Sequence, residues 1–108
     1  MRIRKNDNNL NEDFDIEFIA QVSDSLAHPA RLVLFRHIMQ KNRAMENVCT
    51  GDLVDEFDYS QSTISQHMKK LTDSGLVEIR KKDRFSYYYA NLGILMKYID
   101  LTKKYSII

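Results

Sequence analysis

The sequence predicts a mainly α domain of the α+β kind, about five helices with a single two-stranded β-hairpin, on three observations. Apolar residues recur at helical spacing in five separate stretches. The period then switches to strand-like alternation for one short segment after Gly75. Between these patterns, Ser60 and Gly75 bracket one capped helix that follows a shorter one after a brief break.

Residues 1–13 are rich in Asn, Asp and basic groups, with Ile3 and Leu10 as apolar exceptions, and read as a flexible N-terminal arm. The folded domain is expected over 14–108. From 14 to 27 the pattern is helical with two apolar stripes, Phe14, Phe18, Val22, Leu26 and Ile16, Ile19, Ala20, Ala27. So wide an apolar arc needs two surfaces to pack against. His28-Pro29 separates this helix from the next, because proline suits the first helical position and pushes its predecessor out of helical geometry. Leu32, Phe35, Ile38 and Met39 then mark the buried side of a helix to about Lys41, with Arg31 and Arg36 facing elsewhere.

A polar connection follows, and Val48-Cys49 is expected as a short strand. Thr50 can cap a brief helix over 51–57 whose first turn carries Asp52, a carboxylate favoured by the helix dipole. After a break at Asp58-Tyr59, Ser60 is positioned to cap a second helix, and Gly75 suits the left-handed residue just past its end. Ile64, Met68 and Leu71 form its inward stripe, which leaves Gln61, Ser62, Ser65, Gln66 and Lys69 on other sides. Two helices joined by so short a turn, the second with a polar outer face, make a helix-turn-helix. Residues 76–81 and 85–90 alternate as strands around Lys82-Asp83-Arg84, where Asp83 can tolerate a left-handed conformation. The last segment, 92–105, is helical with the stripes Leu92, Leu95, Ile99, Thr102 and Ile94, Tyr98, Leu101, Tyr105.

Charge sharpens the functional reading. Residues 1–59 carry 7 Lys/Arg against 11 Asp/Glu, a net of −4, whereas 60–108 carry 9 against 4, a net of +5. A neutral chain divided in this way can present one basic face. On it, Gln61, Ser62, Ser65 and Gln66 are candidate DNA base contacts, since short amides and hydroxyls match the donors and acceptors on base edges. Lys69, Arg80, Lys81, Lys82 and Arg84 are candidate phosphate contacts, with Thr63 close to the backbone. The first and last helices are over-apolar for a small monomer, which points to a homodimer interface containing Phe14, Phe18, Val22, Leu95, Tyr98 and Ile99.

Other classes find little support. No apolar run approaches the roughly 20 residues of a membrane span, and the polar start is unlike a signal peptide, so a cytoplasmic protein is expected. The single Cys49 makes no internal disulfide, and His28, His37 and His67 lack ligand spacing, so neither a metal nor another cofactor is expected. Cys49 stands either as a redox-responsive thiol or as a small apolar filler. No nucleophile, base and orienting group occur together, and no Gly-rich phosphate loop is present, so the chain does not read as an enzyme.

Several segments, in order, resemble the ArsR/SmtB family of winged helix-turn-helix repressors over roughly residues 18–98. Leu26-Ala-His-Pro-Ala-Arg-Leu32 is similar to its L-[SA]-[DH]-P-x-R-L, and Ser60-Gln-Ser-Thr-Ile-Ser-Gln-His-Met-Lys-Lys-Leu71 to its recognition-helix pattern. Ser74-Gly-Leu-Val77 and Arg84-Phe-Ser-Tyr-Tyr-Tyr89 resemble the start and the R-x-x-Y-Y of its wing. The resemblance implies a homodimer that binds operator DNA, with 60–74 as recognition helix, 77–89 as wing and the four polar residues above as base readers. The sequence departs from the family's C-x-C-[DE]-L metal motif, because Cys49-Thr-Gly-Asp-Leu53 keeps one sulfur and has Gly51 at the second position. One thiolate is a poor trap for a soft metal. No motif names the effector, the operator or the sign of regulation. The competing reading is a winged helix used for protein contacts without DNA.

Overall fold

The computed structural model describes residues 10–106. Within them the order is α1 (Leu10–Leu26), α2 (Pro29–Arg43), α3 (Thr50–Glu56), α4 (Gln61–Asp73), β1 (Val77–Lys82), β2 (Phe85–Ala90) and α5 (Leu92–Tyr105). Five helices and one antiparallel hairpin make the winged helix-turn-helix expected from the pattern. Residues 1–9, most of the expected arm, lie outside the described residues. Helix α1 opens at Leu10 rather than Phe14, as Glu12 and Asp13 in its first turn are well suited to the positive end of the helix dipole.

One core joins every element. Val22 of α1, Leu34, Phe35 and Ile38 of α2, Leu53 of α3, the α4 stripe Ile64, Met68 and Leu71, and Val77 and Tyr88 of the hairpin pack together. Burial at about 1.5–3 kcal/mol for each large apolar side chain makes the α4 stripe worth far more than any surface pair on that helix. The buried side of α2 differs from expectation. Ala30, Leu34, Phe35 and Ile38 point inward, while Leu32 is 52% exposed. The i, i+4 pair Leu34 and Ile38 sets the helix rotation, and Leu32 falls outside that arc.

The loop after α2 turns at Met45, whose φ is 63°. Val48-Cys49 does not form the expected strand; its one backbone hydrogen bond to the hairpin runs from Tyr88 N–H to Val48 C=O at 2.8 Å, while the Cys49 carbonyl accepts from Leu53 N–H in α3. Thr50 begins α3 rather than capping it. Cys49 is the cap residue, and its N–H donates to the Asp52 carboxylate at 2.9 Å. Threonine's hydroxyl is engaged instead with the Tyr88 hydroxyl at 2.9 Å.

The hairpin pairs Val77 with Ala90 through Lys82 with Phe85, leaving a two-residue turn in which Asp83 has φ 60°. Its base is fastened to α2. Asn42 accepts from Ala90 N–H at 2.8 Å and donates to the Tyr88 carbonyl at 3.5 Å, while Asn91 N–H donates to the Leu76 carbonyl at 2.8 Å. The hairpin therefore projects from a fixed root.

Gly75 ends α4 with φ +86°. A Cβ there would meet only Ile94 at ordinary contact distance, 3.7 Å, so the cost of a side chain is conformational rather than steric. Gly75→Ala is expected to destabilise the domain by about 1–2 kcal/mol. Urea unfolding should show this as a lower midpoint with an unchanged slope.

Candidate nucleic-acid interface

Local sequence sets the geometry of α4. The Ser60 hydroxyl accepts from Thr63 N–H at 3.2 Å and donates to the Thr63 hydroxyl at 3.0 Å, closing the first turn. Burying Ile64, Met68 and Leu71 completely turns the opposite arc to solvent. Gln61, Ser62, Ser65 and Gln66 are all exposed, and their side chains make no hydrogen bond among the described residues. Four unengaged donor and acceptor groups thus share one helix with a dry back. Thr63 is half-buried and tied to the cap.

The candidate phosphate contacts are less uniform. Lys69 forms an ion pair with Asp73 at 3.0 Å, and Arg80 pairs with Glu78 at 3.1 Å while lying over the Tyr89 ring at 4.5 Å. Pairs this exposed contribute less than about 1 kcal/mol, so either cation can exchange its carboxylate for a phosphate. By alternation and register, Arg80 and Lys82 share a hairpin face with Phe85, Tyr87 and Tyr89, whereas Lys81 lies on the opposite face with Ile79 and Ser86. Arg84 sits in the turn. One basic cluster in sequence is therefore two faces and a tip in space. The aromatic row beside Arg80, with Phe85 and Tyr87 ring centroids 6.1 Å apart, is legible in the sequence as a period of two, although that period alone assigns it no role.

His67 occupies the inner shoulder of α4. Its ring lies 4.8 Å from the His28 ring and edge-on to Tyr59 at 6.1 Å, with Nδ1 at 3.4 Å from an Arg31 guanidinium nitrogen. Arginine only donates, so His67 Nδ1 is the acceptor and the neutral ring carries its proton on Nε2. Burial, then the charges of His28 and Arg31, hold His67 below its ordinary pKa of 6.5. Arg31 does not face away as expected; it is half-buried and also donates to the Ser25 and Asp24 carbonyls at 2.7 and 3.1 Å.

The expected pairing surface needs one correction. Val22 is completely buried inside its own protomer and is unable to meet a partner. Only the later part of that α1 stripe faces the core, where Val22 packs with the α2 and α4 side chains and Phe18 and Leu26 lie partly buried against them. Phe14 is 65% exposed, while Phe18, Leu95, Tyr98 and Ile99 are half-buried. Helix α5 has no buried residue and exposes Leu92 and Met96. Tyr98 bonds Ser23 at 2.8 Å and Tyr105 donates to Asp15 at 3.1 Å, so one α5 stripe closes on α1 and the other stays open.

Cys49 is half-buried, with Sγ 3.3 Å from the Asp52 carboxylate. Among the described residues no three His, Cys, Asp or Glu side chains are grouped to hold a metal ion. No helix among them is long and apolar enough to cross a membrane.

A helix-turn-helix with a hairpin rooted beside its second helix defines the class, a winged helix-turn-helix domain. A family model described as a helix-turn-helix domain matches residues 26–80. The chain is 30% identical over 73 residues to a helix-turn-helix-type transcriptional regulator of Methanocaldococcus jannaschii, covering 68% of this chain and 78% of that one. It is 44% identical over 48 residues to the arsenical resistance operon repressor of Staphylococcus aureus, 44% of this chain and 46% of that protein, so the match spans less than half of that repressor's length. Among solved structures, an ArsR-like transcriptional regulator from Rhodococcus sp. RHA1 superposes with a TM-score of 0.73 at 21% identity, covering 82% of this chain and 79% of that one. A possible transcriptional regulator for arsenical resistance gives 0.64 at 30% identity, with 79% and 83% covered. The chain belongs to the ArsR family of winged helix-turn-helix transcriptional regulators.

The lowered His67 pKa carries a sign. The folded state binds this proton less readily than the unfolded chain, so the associated stability is present above pH 6.5 and is lost as pH falls through the lowered folded value. Unfolding midpoints taken from about pH 7.5 down to about pH 5 should fall less steeply in His67→Gln than in the parent chain.

Proposed function

We propose that the chain is a sequence-specific repressor that binds a palindromic operator as a cytoplasmic homodimer. The carrying observation is the dry-backed α4, whose exposed Gln61, Ser62, Ser65 and Gln66 have no partner among the described residues. A helix of this width enters the major groove, where amides and hydroxyls can distinguish base pairs. Thr63, Lys69, Arg80, Lys81, Lys82 and Arg84 supply backbone contacts that set register and affinity. Because Lys81 faces away from Arg80 and Lys82, a wing lying along the duplex uses these cations on two sides.

Pairing is assigned to α1 and the open stripe of α5, through Phe14, Phe18, Leu95 and Ile99 with Leu92 and Met96 beside them, and Tyr98 stands at the margin, where its own stripe closes on α1 through Ser23. A two-fold dimer would set the two α4 helices about 34 Å apart, one turn of DNA. The family resemblance to arsenical repressors does not extend to a metal trap here, since Cys49 has one carboxylate neighbour and Gly51 where a second sulfur would stand. Cys49 serves either a redox response or packing.

Selection of bound duplex from a random pool tests the proposal, with recovery of a palindromic consensus as the expected result. Ser62→Ala and Gln66→Ala should each reduce discrimination between the selected and a scrambled duplex by about tenfold, one good base contact, while low-salt retention persists. Lys82→Glu with Arg84→Glu should weaken all duplexes alike and flatten the salt slope by about one for each phosphate that is no longer neutralised. Absence of DNA retention at low salt would instead favour the protein-contact reading. Sedimentation at micromolar concentration should give twice the chain mass, and a strict monomer would contradict the assigned pairing surface.

A further inference from the structure

The α1 and α4 helices are joined by a row of polar ties beside the apolar core. Gln21 Nε2 donates to the Asp73 carbonyl at 3.2 Å, and Lys70 Nζ lies 3.6 Å from the Asp24 carboxylate. The third tie runs through α2. Arg31 Nε and Nη2 donate to the Ser25 and Asp24 carbonyls at 2.7 and 3.1 Å, and its Nη1 reaches His67 Nδ1 at 3.4 Å. The first two ties rest on exposed groups, whereas Arg31 and His67 are half-buried.

We infer that Arg31 is a positioning residue for the reading helix, fixing the roll of α4 against the end of α1 through His67. This rests on the function proposed above. An apolar stripe holds a helix onto a core but resists small rolling motions weakly, since dispersion and burial are non-directional. A guanidinium is planar, with its donors in a rigid fork, so bonds to α1 carbonyls on one side orient the donor offered to the imidazole on the other. The ring is itself confined. His28 lies 4.8 Å away and is held as the α2 cap by Ala30 N–H at 3.1 Å, and Tyr59 stands edge-on at 6.1 Å.

The consequence reaches the base-facing residues directly. His67 follows Gln66 in sequence and lies one turn beyond Thr63, so a roll at His67 moves Gln66, Ser65 and Ser62 together. Base contacts need their groups held within about 0.5 Å, which is what a directional tie between half-buried groups helps to supply. Helix α1 is also braced to α5 by the Ser23–Tyr98 and Asp15–Tyr105 bonds. Arg31 thus connects the proposed pairing helices to the proposed reading surface.

Two measurements test this, one without DNA. In the free protein, the charged and titratable groups of the cluster are Arg31 of α2, His28 at the α2 N-cap, Tyr59 of the α3–α4 turn, Asp24 of α1 and Lys70 of α4. An NMR titration of the His67 ring should move upward in Arg31→Gln, because a facing cation is removed; an unmoved titration would overturn the tie. With DNA, Arg31→Lys keeps the charge and loses the fork. It should retain the fold by circular dichroism and low-salt binding, yet lose about tenfold in discrimination between selected and scrambled duplexes. His67→Ala should lose a similar factor, and the double variant no more than either single one. Unchanged discrimination in Arg31→Lys, or losses that multiply in the double variant, would sink the positioning role. A parent chain that selects no sequence would overturn the proposed function and the reading role with it, while the ring titration would still report on the tie.

Discussion

Complete burial of Ile64, Met68 and Leu71 is the constraint on which the rest depends. These three side chains occupy one stripe of α4 and meet core residues from α1, α2, α3 and the hairpin, so a large rotation of the helix would expose all of them. At about 1.5–3 kcal/mol each, their burial outweighs every surface ion pair on that helix. What faces solvent follows by elimination. Gln61, Ser62, Ser65 and Gln66 are outward because the inward positions are taken.

Polar bonds refine what apolar burial leaves loose. Asn42 spans from the end of α2 to Tyr88 and Ala90, and Tyr88 bonds both Val48 and Thr50, so the hairpin root is fixed to the same core that holds α4. Without that root, a two-stranded hairpin is marginal in water. The wing and α4 therefore keep a set relation to each other, which a phosphate-contacting element needs if it is to set register. Arg31 and His67 do the comparable work between α1 and α4.

The apolar surface that remains is unevenly placed. Phe14 on α1 and Leu92 and Met96 on α5 are more than half exposed, while the adjoining α5 stripe is satisfied by bonds to Ser23 and Asp15. A chain of 108 residues has limited core from which to draw its own stability, and the proposed dimer gives this surface somewhere to go. The same arrangement puts the proposed pairing and reading surfaces at opposite ends of a short, polar-tied path.

Much of the protein was determined by sequence alone. The five helices and the hairpin, the Ser60 cap, the positive φ at Gly75 and at Asp83, and the inward stripe of α4 all follow from local periodicity and from residues with few conformational choices. The base-facing candidates were legible for the same reason, since one helix face implies the other. Tertiary structure decided what depends on neighbours distant in sequence. Leu32 faces out and Leu34 in, and Val22 belongs to the core rather than to a partner, because both α1 and α2 are apolar on more than one side and only packing chooses among the sides. The isolated bond at Val48, the division of the basic hairpin into two faces and the meeting of Arg31, His28 and His67 likewise depend on how separate segments come together. Periodicity reports which side of an element is apolar; it carries no record of which distant side chain will lie against it.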